Sequence, residues 1–159
     1  MSGRATRIAA ERVVAASPPV VFAFLADLEN HWLLADRFVE VLTLERPPGG
    51  GPASGGTVRM RGPLGLGRTA RTRVVEAAAA SAIAGTASVG RRTEASVRWT
   101  LTPAPRGTRV RLEATIERLG RAEAVLLAAG GRRWLERRFA SILQTLGRRV
   151  PGDHQDSSA

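Results

Sequence analysis

At 159 residues with 43% apolar content, the chain is sized for one domain around one core. It has no cysteine, which excludes disulfides, thiolate metal sites and cysteine nucleophiles, and all 24 of its basic side chains are arginine, which excludes Schiff-base lysine chemistry. The formal net charge of +10 favours anionic partners through its long-range field, although arginine in place of every lysine points to a coding bias as much as to selection at each position.

Residues 1 to 6 read as a flexible arm, and Arg7 to Ala16, with Ile8, Val13 and Val14, as a first strand. Ser17-Pro18-Pro19 ends it. Ser17 can cap a helix, and Pro18 suits the first helical position, where the backbone amide is unpaired in any case. That helix runs to about Leu28 with Val21, Phe24, Leu25 and Leu28 on its buried face, and Asn30 is placed to cap a second short turn through His31, Trp32 and Leu33.

Phe38 to Arg46 reads as a strand, the Pro- and Gly-rich stretch from Pro47 to Pro52 as an irregular loop, and Gly56 to Gly62 as the next strand, where Val58 and Met60 alternate with Thr57, Arg59 and Arg61. After a turn at Pro63 to Gly67, Arg68 to Glu76 sets Ala70, Thr72 and Val74 against Thr69, Arg71 and Arg73, the pattern of a half-exposed antiparallel strand. The alanine run Ala77 to Ala80 is too short for a helix and becomes a turn into a strand from Ala82 to Val89. Thr93 to Thr102 places Ala95, Val97, Trp99 and Leu101 inward. A turn at Pro103 to Gly107 leads to Thr108 to Glu117, which repeats the alternation with Val110, Leu112, Ala114 and Ile116.

Arg121 to Arg149 is predicted to be one long amphipathic helix. At 100° per residue, Ala124, Ala128, Gly131, Leu135, Phe139, Ile142 and Leu146 share one face. The first half of that face is lined by small residues only, which leaves room for a ligand. Arg133, Arg137 and Arg148 take the opposite, solvated side, and residues 150 to 159 form a disordered polar tail. The order of strand, two short helices, six strands and a long helix describes an α+β domain over residues 7 to 149, its curved antiparallel sheet of about seven strands covered by the last helix.

The run Ser17-Pro18-Pro19-Val20-Val21-Phe22-Ala23-Phe24-Leu25-Ala26-Asp27-Leu28, the following Trp32 and Phe38-Val39, the turn Gly107-Thr108-Arg109-Val110 and the long final helix together resemble the START/birch-pollen-allergen superfamily, also described as SRPBCC or polyketide cyclase/dehydrase-like. The resemblance implies the helix-grip fold, with a hydrophobic cavity between sheet and helix. It also implies binding of a small molecule, with catalysis only in some members. Cyclases and aromatases of that superfamily use buried polar side chains, often tyrosine, arginine and histidine. This chain has no tyrosine.

The cavity lining expected from these placements takes Val58, Met60, Thr72 and Val74 from the middle strands and Val97, Trp99 and Leu112 from the last hairpin. The C-terminal helix adds Ala124, Ala128, Gly131 and Leu135. Thr72 and the indole of Trp99 are its main polar groups, with Thr43 and Thr86 as further candidates. Asp27 and His31 stand one helical turn apart, an arrangement that could make a base, but their place at the end of a short helix reads as a solvent-facing cap. His154 falls in the tail, and no histidine spacing suits a metal, so neither metal nor cofactor is expected.

The leading expectation is a carrier of a hydrophobic ligand such as a lipid, quinone or polyketide-like aromatic. A polyketide cyclase or dehydratase is the alternative enzyme reading, and an interaction module without a ligand is a third. The pairs Arg132-Arg133 and Arg137-Arg138 could touch an acidic membrane surface, although a solvated charged face is the simpler reading. Leu126 marks an apolar lip or a dimer contact, which leaves the oligomeric state open. Too few aromatic platforms are present for specific nucleic-acid binding. With no leader-like or membrane-length apolar run, a cytoplasmic location is expected.

Overall fold

The computed structural model describes residues 5–35, 38–62 and 67–150. The order is β1 (Thr6–Val14), α1 (Pro18–Leu25), α2 (Leu28–Leu33), β2 (Val39–Glu45), β3 (Gly55–Arg61), β4 (Gly67–Ala78), β5 (Ala82–Val89), β6 (Thr93–Ala104), β7 (Gly107–Arg118), α3 (Arg121–Leu126) and α4 (Arg132–Arg149). Most of the N-terminal arm, the turn at 63–66 and the tail from 151, with His154, lie outside the described residues. Thr6 already belongs to β1, and Val150 is buried in the core rather than part of a tail. Among the described residues no helix is long and apolar enough to cross a membrane.

All seven strands form one antiparallel sheet in the order β1-β7-β6-β5-β4-β3-β2. The α+β helix-grip architecture follows: six strands run as a meander, and β1 joins beside β7. Alternation with period 2 puts Ile83, Trp99 and Leu112 in one cross-strand row on the covered face. The sheet bends where β4 carries a bulge between Val74 and Glu76. Gly85, opposite Val74, permits this, because a Cβ there would stand 2.5 Å from the carbonyl oxygen of Arg73.

The β6–β7 turn is tighter than the sequence suggested, since Pro103 and Ala104 remain in the ladder and pair with Thr108 and Gly107. Gly107 has φ +144, and a Cβ on it would meet the Val14 carbonyl oxygen at 2.0 Å, so only glycine fits. The buried Thr108 hydroxyl then donates to the Ala16 carbonyl at 2.7 Å and ties the hairpin to the start of α1.

Two apolar clusters result. The main core joins Val14, Leu25, Trp99, Leu101 and Val110 to Leu143, Leu146 and Val150 from the C-terminal end, and the second joins Leu28 and Trp32 of α2 to Ala53, Val58 and Ala70. Trp32 reaches that second cluster because Gly56 has no side chain: a Cβ there would lie 2.6 Å from the indole.

The C-terminal helix spans 121–149 but is interrupted. Ala129 and Gly130 leave helical dihedrals, Gly130 at φ +105, so α3 and α4 are separate segments. Ala128, expected on the buried face, is exposed, and Gly131 is buried within the break, where a Cβ would press on the Leu126 carbonyl oxygen at 2.5 Å. The small residues therefore serve a kink in the backbone. Because α4 packs chiefly against β1, its buried arc is turned away from Leu135, which is half-buried, toward Leu143 and Leu146 at 1% and 0% exposure. Arg138, assigned to the charged surface, instead lies over the rings of Phe38 and Trp134 at 4.7 and 5.1 Å.

Candidate functional site

Local hydrogen bonding at the joint between α1 and α2 sets up the site. The cap of α2 is Asp27 rather than Asn30, since its Oδ1 accepts from the Glu29 amide at 3.0 Å and the Ala53 amide at 3.2 Å, while Arg46 donates to Oδ2 at 3.2 Å. Burial raises the Asp27 pKa, but these two amides and the guanidinium outweigh it and hold the carboxyl below its ordinary value.

Helix α1 ends with carbonyls that no later helical amide can reach, and α2 satisfies two of them. Asn30 Nδ2 donates to the Phe24 carbonyl at 2.7 Å, and Nε2 of His31 lies 2.6 Å from the Leu25 carbonyl. A carbonyl oxygen only accepts, so Nε2 carries the proton and, in the neutral ring, Nδ1 carries a lone pair.

His31 is thus no solvent-facing cap. Its ring packs at 59° against the buried indole of Trp99, with centroids 5.2 Å apart. Burial pushes its pKa below 6.5, against the opposing effects of the Leu25 carbonyl and the Asp27 charge. Between 6.5 and that lower folded value the unfolded chain binds more protons than the folded one, so stability falls as pH drops through this window. Thermal melts from pH 7.5 downward are expected to show the decline in the wild type and a flatter profile in His31→Gln. Equal slopes would contradict the half-buried neutral ring.

Between α2 and the covered face of β4, β5 and β6 lies a recess of about 110 Å³. Leu28, His31 and Trp32 border it on the helical side, and Thr72, Val74, Ile83, Val97 and Trp99 are among its borders on the sheet. Its walls are apolar apart from His31, the exposed Arg73 and Thr86, the indole N–H groups of Trp32 and Trp99, and Thr72, whose hydroxyl is buried without a hydrogen-bond partner.

Of the residues expected to line a cavity, Thr72, Val74, Val97 and Trp99 meet around this recess. Leu112 belongs to the main core, and Val58 and Met60 to the second cluster. Ala124, Ala128, Gly131 and Leu135 do not border it, because the cover over this part of the sheet is α2 and not the C-terminal helix. Thr43 is exposed on β2 and accepts from the Thr57 amide. Sequence reasoning missed His31, Leu28 and Trp32 as a group. The available signal was the placement of three ring-sized or branched side chains on one short turn.

A larger depression of about 330 Å³ lies at the far end of the sheet, bordered by Arg68, Arg91, Arg92, Arg121 and Glu123. It is a charged surface cleft, with Arg68 Nε 3.3 Å from Glu123. Among the described residues no group of three histidine or acidic side chains is placed to hold a metal.

A family model described as polyketide cyclase / dehydrase and lipid transport matches residues 5–151. Solved structures of similar fold include a START superfamily protein from Mycobacterium smegmatis, with 18% identity, TM-score 0.66, and coverage of 93% of this chain and 97% of that one. A protein from Thermus thermophilus has 23% identity, TM-score 0.64, and coverage of 91% and 97%. The major latex-like protein 151 of Panax ginseng has 8% identity, TM-score 0.70, and coverage of 94% and 99%. At these identities the likeness is one of fold. A comparison with curated proteins finds no match.

Proposed function

Because the chain belongs to the polyketide cyclase/dehydrase and lipid transport family, we propose that it binds a hydrophobic small molecule in the recess between α2 and the sheet. A lipid, a quinone or a polyketide-like aromatic are the ligand classes this reading admits. The observation that carries it is an unfilled apolar recess faced by Trp99, Val97 and Val74. At about 110 Å³ the space is below the ~300–1,000 Å³ of sites that enclose whole drug-sized ligands, so it suits one ring or the end of a longer molecule.

Titration calorimetry with p-cresol, a one-ring probe, tests this directly. Saturable binding is expected in the wild type, with affinity reduced at least about tenfold in Val97→Phe, whose added ring takes the space the probe needs. Ala128→Trp is expected to change nothing, because Ala128 is exposed and away from the recess. Absence of saturable binding, or equal binding by Val97→Phe, overturns the proposal.

His31 favours a second reading, a cyclase- or dehydratase-type reaction in the same space. A neutral imidazole bordering an apolar recess can take a proton from a bound ligand. Catalysis would also need an acid or an anion-stabilising donor across the ligand, and the other polar side chains at the recess are Thr72, Arg73, Thr86 and the indole of Trp32 or Trp99. Binding without turnover requires none of these.

A further inference from the structure

The charged cleft of about 330 Å³ is walled by three elements that are fixed to one another, the start of β4, the β5–β6 turn and the start of α3. The Gly90 amide donates to the Thr69 carbonyl at 3.0 Å, and the Gly120 amide donates to the hydroxyl of buried Thr93 at 3.0 Å. Arg68 of β4 reaches Glu123 of α3 at 3.3 Å. Gly120 leaves room for that carboxylate, since a Cβ there would stand 2.5 Å from Glu123 Oε2. These links hold Arg91 and Arg92, on the turn, at the same cleft as Arg121, the first residue of α3.

Four guanidinium side chains therefore border a concave surface that contains one carboxylate, an excess of three positive charges. Glu123 is paired with Arg68, whereas Arg91, Arg92 and Arg121 make no ion pair or side-chain hydrogen bond among the described residues. Like charges held together in a cleft repel one another and focus their field into it, which a bound anion relieves.

We propose that this cleft binds a phosphate monoester, carried by a small soluble molecule or a lipid headgroup, with Arg91, Arg92 and Arg121 donating to its oxygens. A dianion with three terminal oxygens accepts from more than one guanidinium at once, whereas a carboxylate fills a single fork and carries a single charge. The volume stands at the lower end of the ~300–1,000 Å³ of small-molecule sites, which leaves room for part of the molecule that carries the phosphate. Among the described residues no aromatic side chain borders the cleft, so a nucleic-acid strand would meet charge but no surface on which to stack its bases. None of these arginines borders the recess under α2, so anion binding here does not require a ligand there.

Titration calorimetry of the full chain with ribose 5-phosphate tests this, at about 0.15 M salt, where exposed charges are largely screened beyond about 8 Å. Saturable binding is expected, with none for ribose and at least about tenfold weaker binding of dimethyl phosphate, a diester with one charge. Arg91→Gln/Arg92→Gln is expected to weaken ribose 5-phosphate at least about tenfold. Arg133→Gln/Arg137→Gln removes the same charge from exposed positions on α4 and should leave the affinity unchanged. All four side chains are exposed, and unchanged melting temperatures would show that both variants keep the fold. Co-sedimentation with phosphatidylcholine vesicles containing phosphatidic acid separates the two sources. Sedimentation that is lost only in Arg91→Gln/Arg92→Gln assigns a lipid headgroup, and ribose 5-phosphate binding without sedimentation assigns a soluble monoester.

Failure of both ribose 5-phosphate and the vesicles to bind overturns the proposal, as does equal affinity for dimethyl phosphate. Equal losses in the two double variants also overturn it and assign the attraction to the net charge of +10 as a whole.

Discussion

A chain ending at Gly120 is expected to lose its cooperative thermal transition. The removed segment carries Leu143, Leu146 and Val150, at 1%, 0% and 3% exposure, into the main core beside Val14, Leu25, Leu101 and Val110. Burying three such side chains contributes roughly 5–9 kcal/mol, and Phe139 and Ile142 add part of theirs. Whole domains are stable by only about 5–15 kcal/mol. What remains would be a sheet with the apolar surface around β1 uncovered, beside two helices of eight and six residues that are too short to hold their shape alone. Circular dichroism during heating measures this. A truncated chain that still melted in one sharp transition would show that α1 and α2 suffice to cover the sheet.

The strands were legible because their signal is local. Alternation along Thr93–Ala104 and Gly107–Arg118 fixes which side chains face inward without reference to anything distant, and the pairing of Trp99 with Leu112 follows once the turn at Gly107 is placed. The position of the C-terminal helix was legible for the same reason, but not its break. A Gly130-Gly131 pair in an apolar stretch reads equally as a small-residue packing face and as a hinge. What decides is the backbone at Gly130, whose positive φ the sequence permits but does not demand.

The recess was only half legible. Thr72, Val74, Val97 and Trp99 border it because the sheet's alternation points them inward. His31 was misplaced because its partners are set by tertiary structure: the Leu25 carbonyl comes within reach only after the chain reverses at Asp27, and Trp99 arrives from β6. A histidine next to a capping carboxylate looks solvent-exposed in one dimension. In the fold it closes the end of α1 and faces the sheet. The part of the cover that α2 adds was not legible, since α2 has only six residues and its amphipathicity is too brief to register as a periodic signal.

Leu146→Ala is expected to separate stability from binding. Leu146 is fully buried in the main core, on the α4 face that packs toward β1, and it does not border the recess. Cutting it back removes apolar contact and leaves a void that close-packed neighbours fill only in part, a loss of about 2–5 kcal/mol. In a domain of this size each kcal/mol lowers the melting temperature by about 2–4 °C, so a fall on the order of 10 °C is expected by calorimetry. Leu146 is not among the residues that border the recess, although the walls Trp99 and Ile83 belong to the same cluster, and below that melting point the affinity for p-cresol is expected to match the wild type. Val97→Phe should do the reverse, blocking the probe at small cost to stability because its ring enters space that is already open. If Leu146→Ala weakened p-cresol binding as much as Val97→Phe while still folded, the recess and the main core would be one continuous cavity, and α4 would have to be counted among its walls.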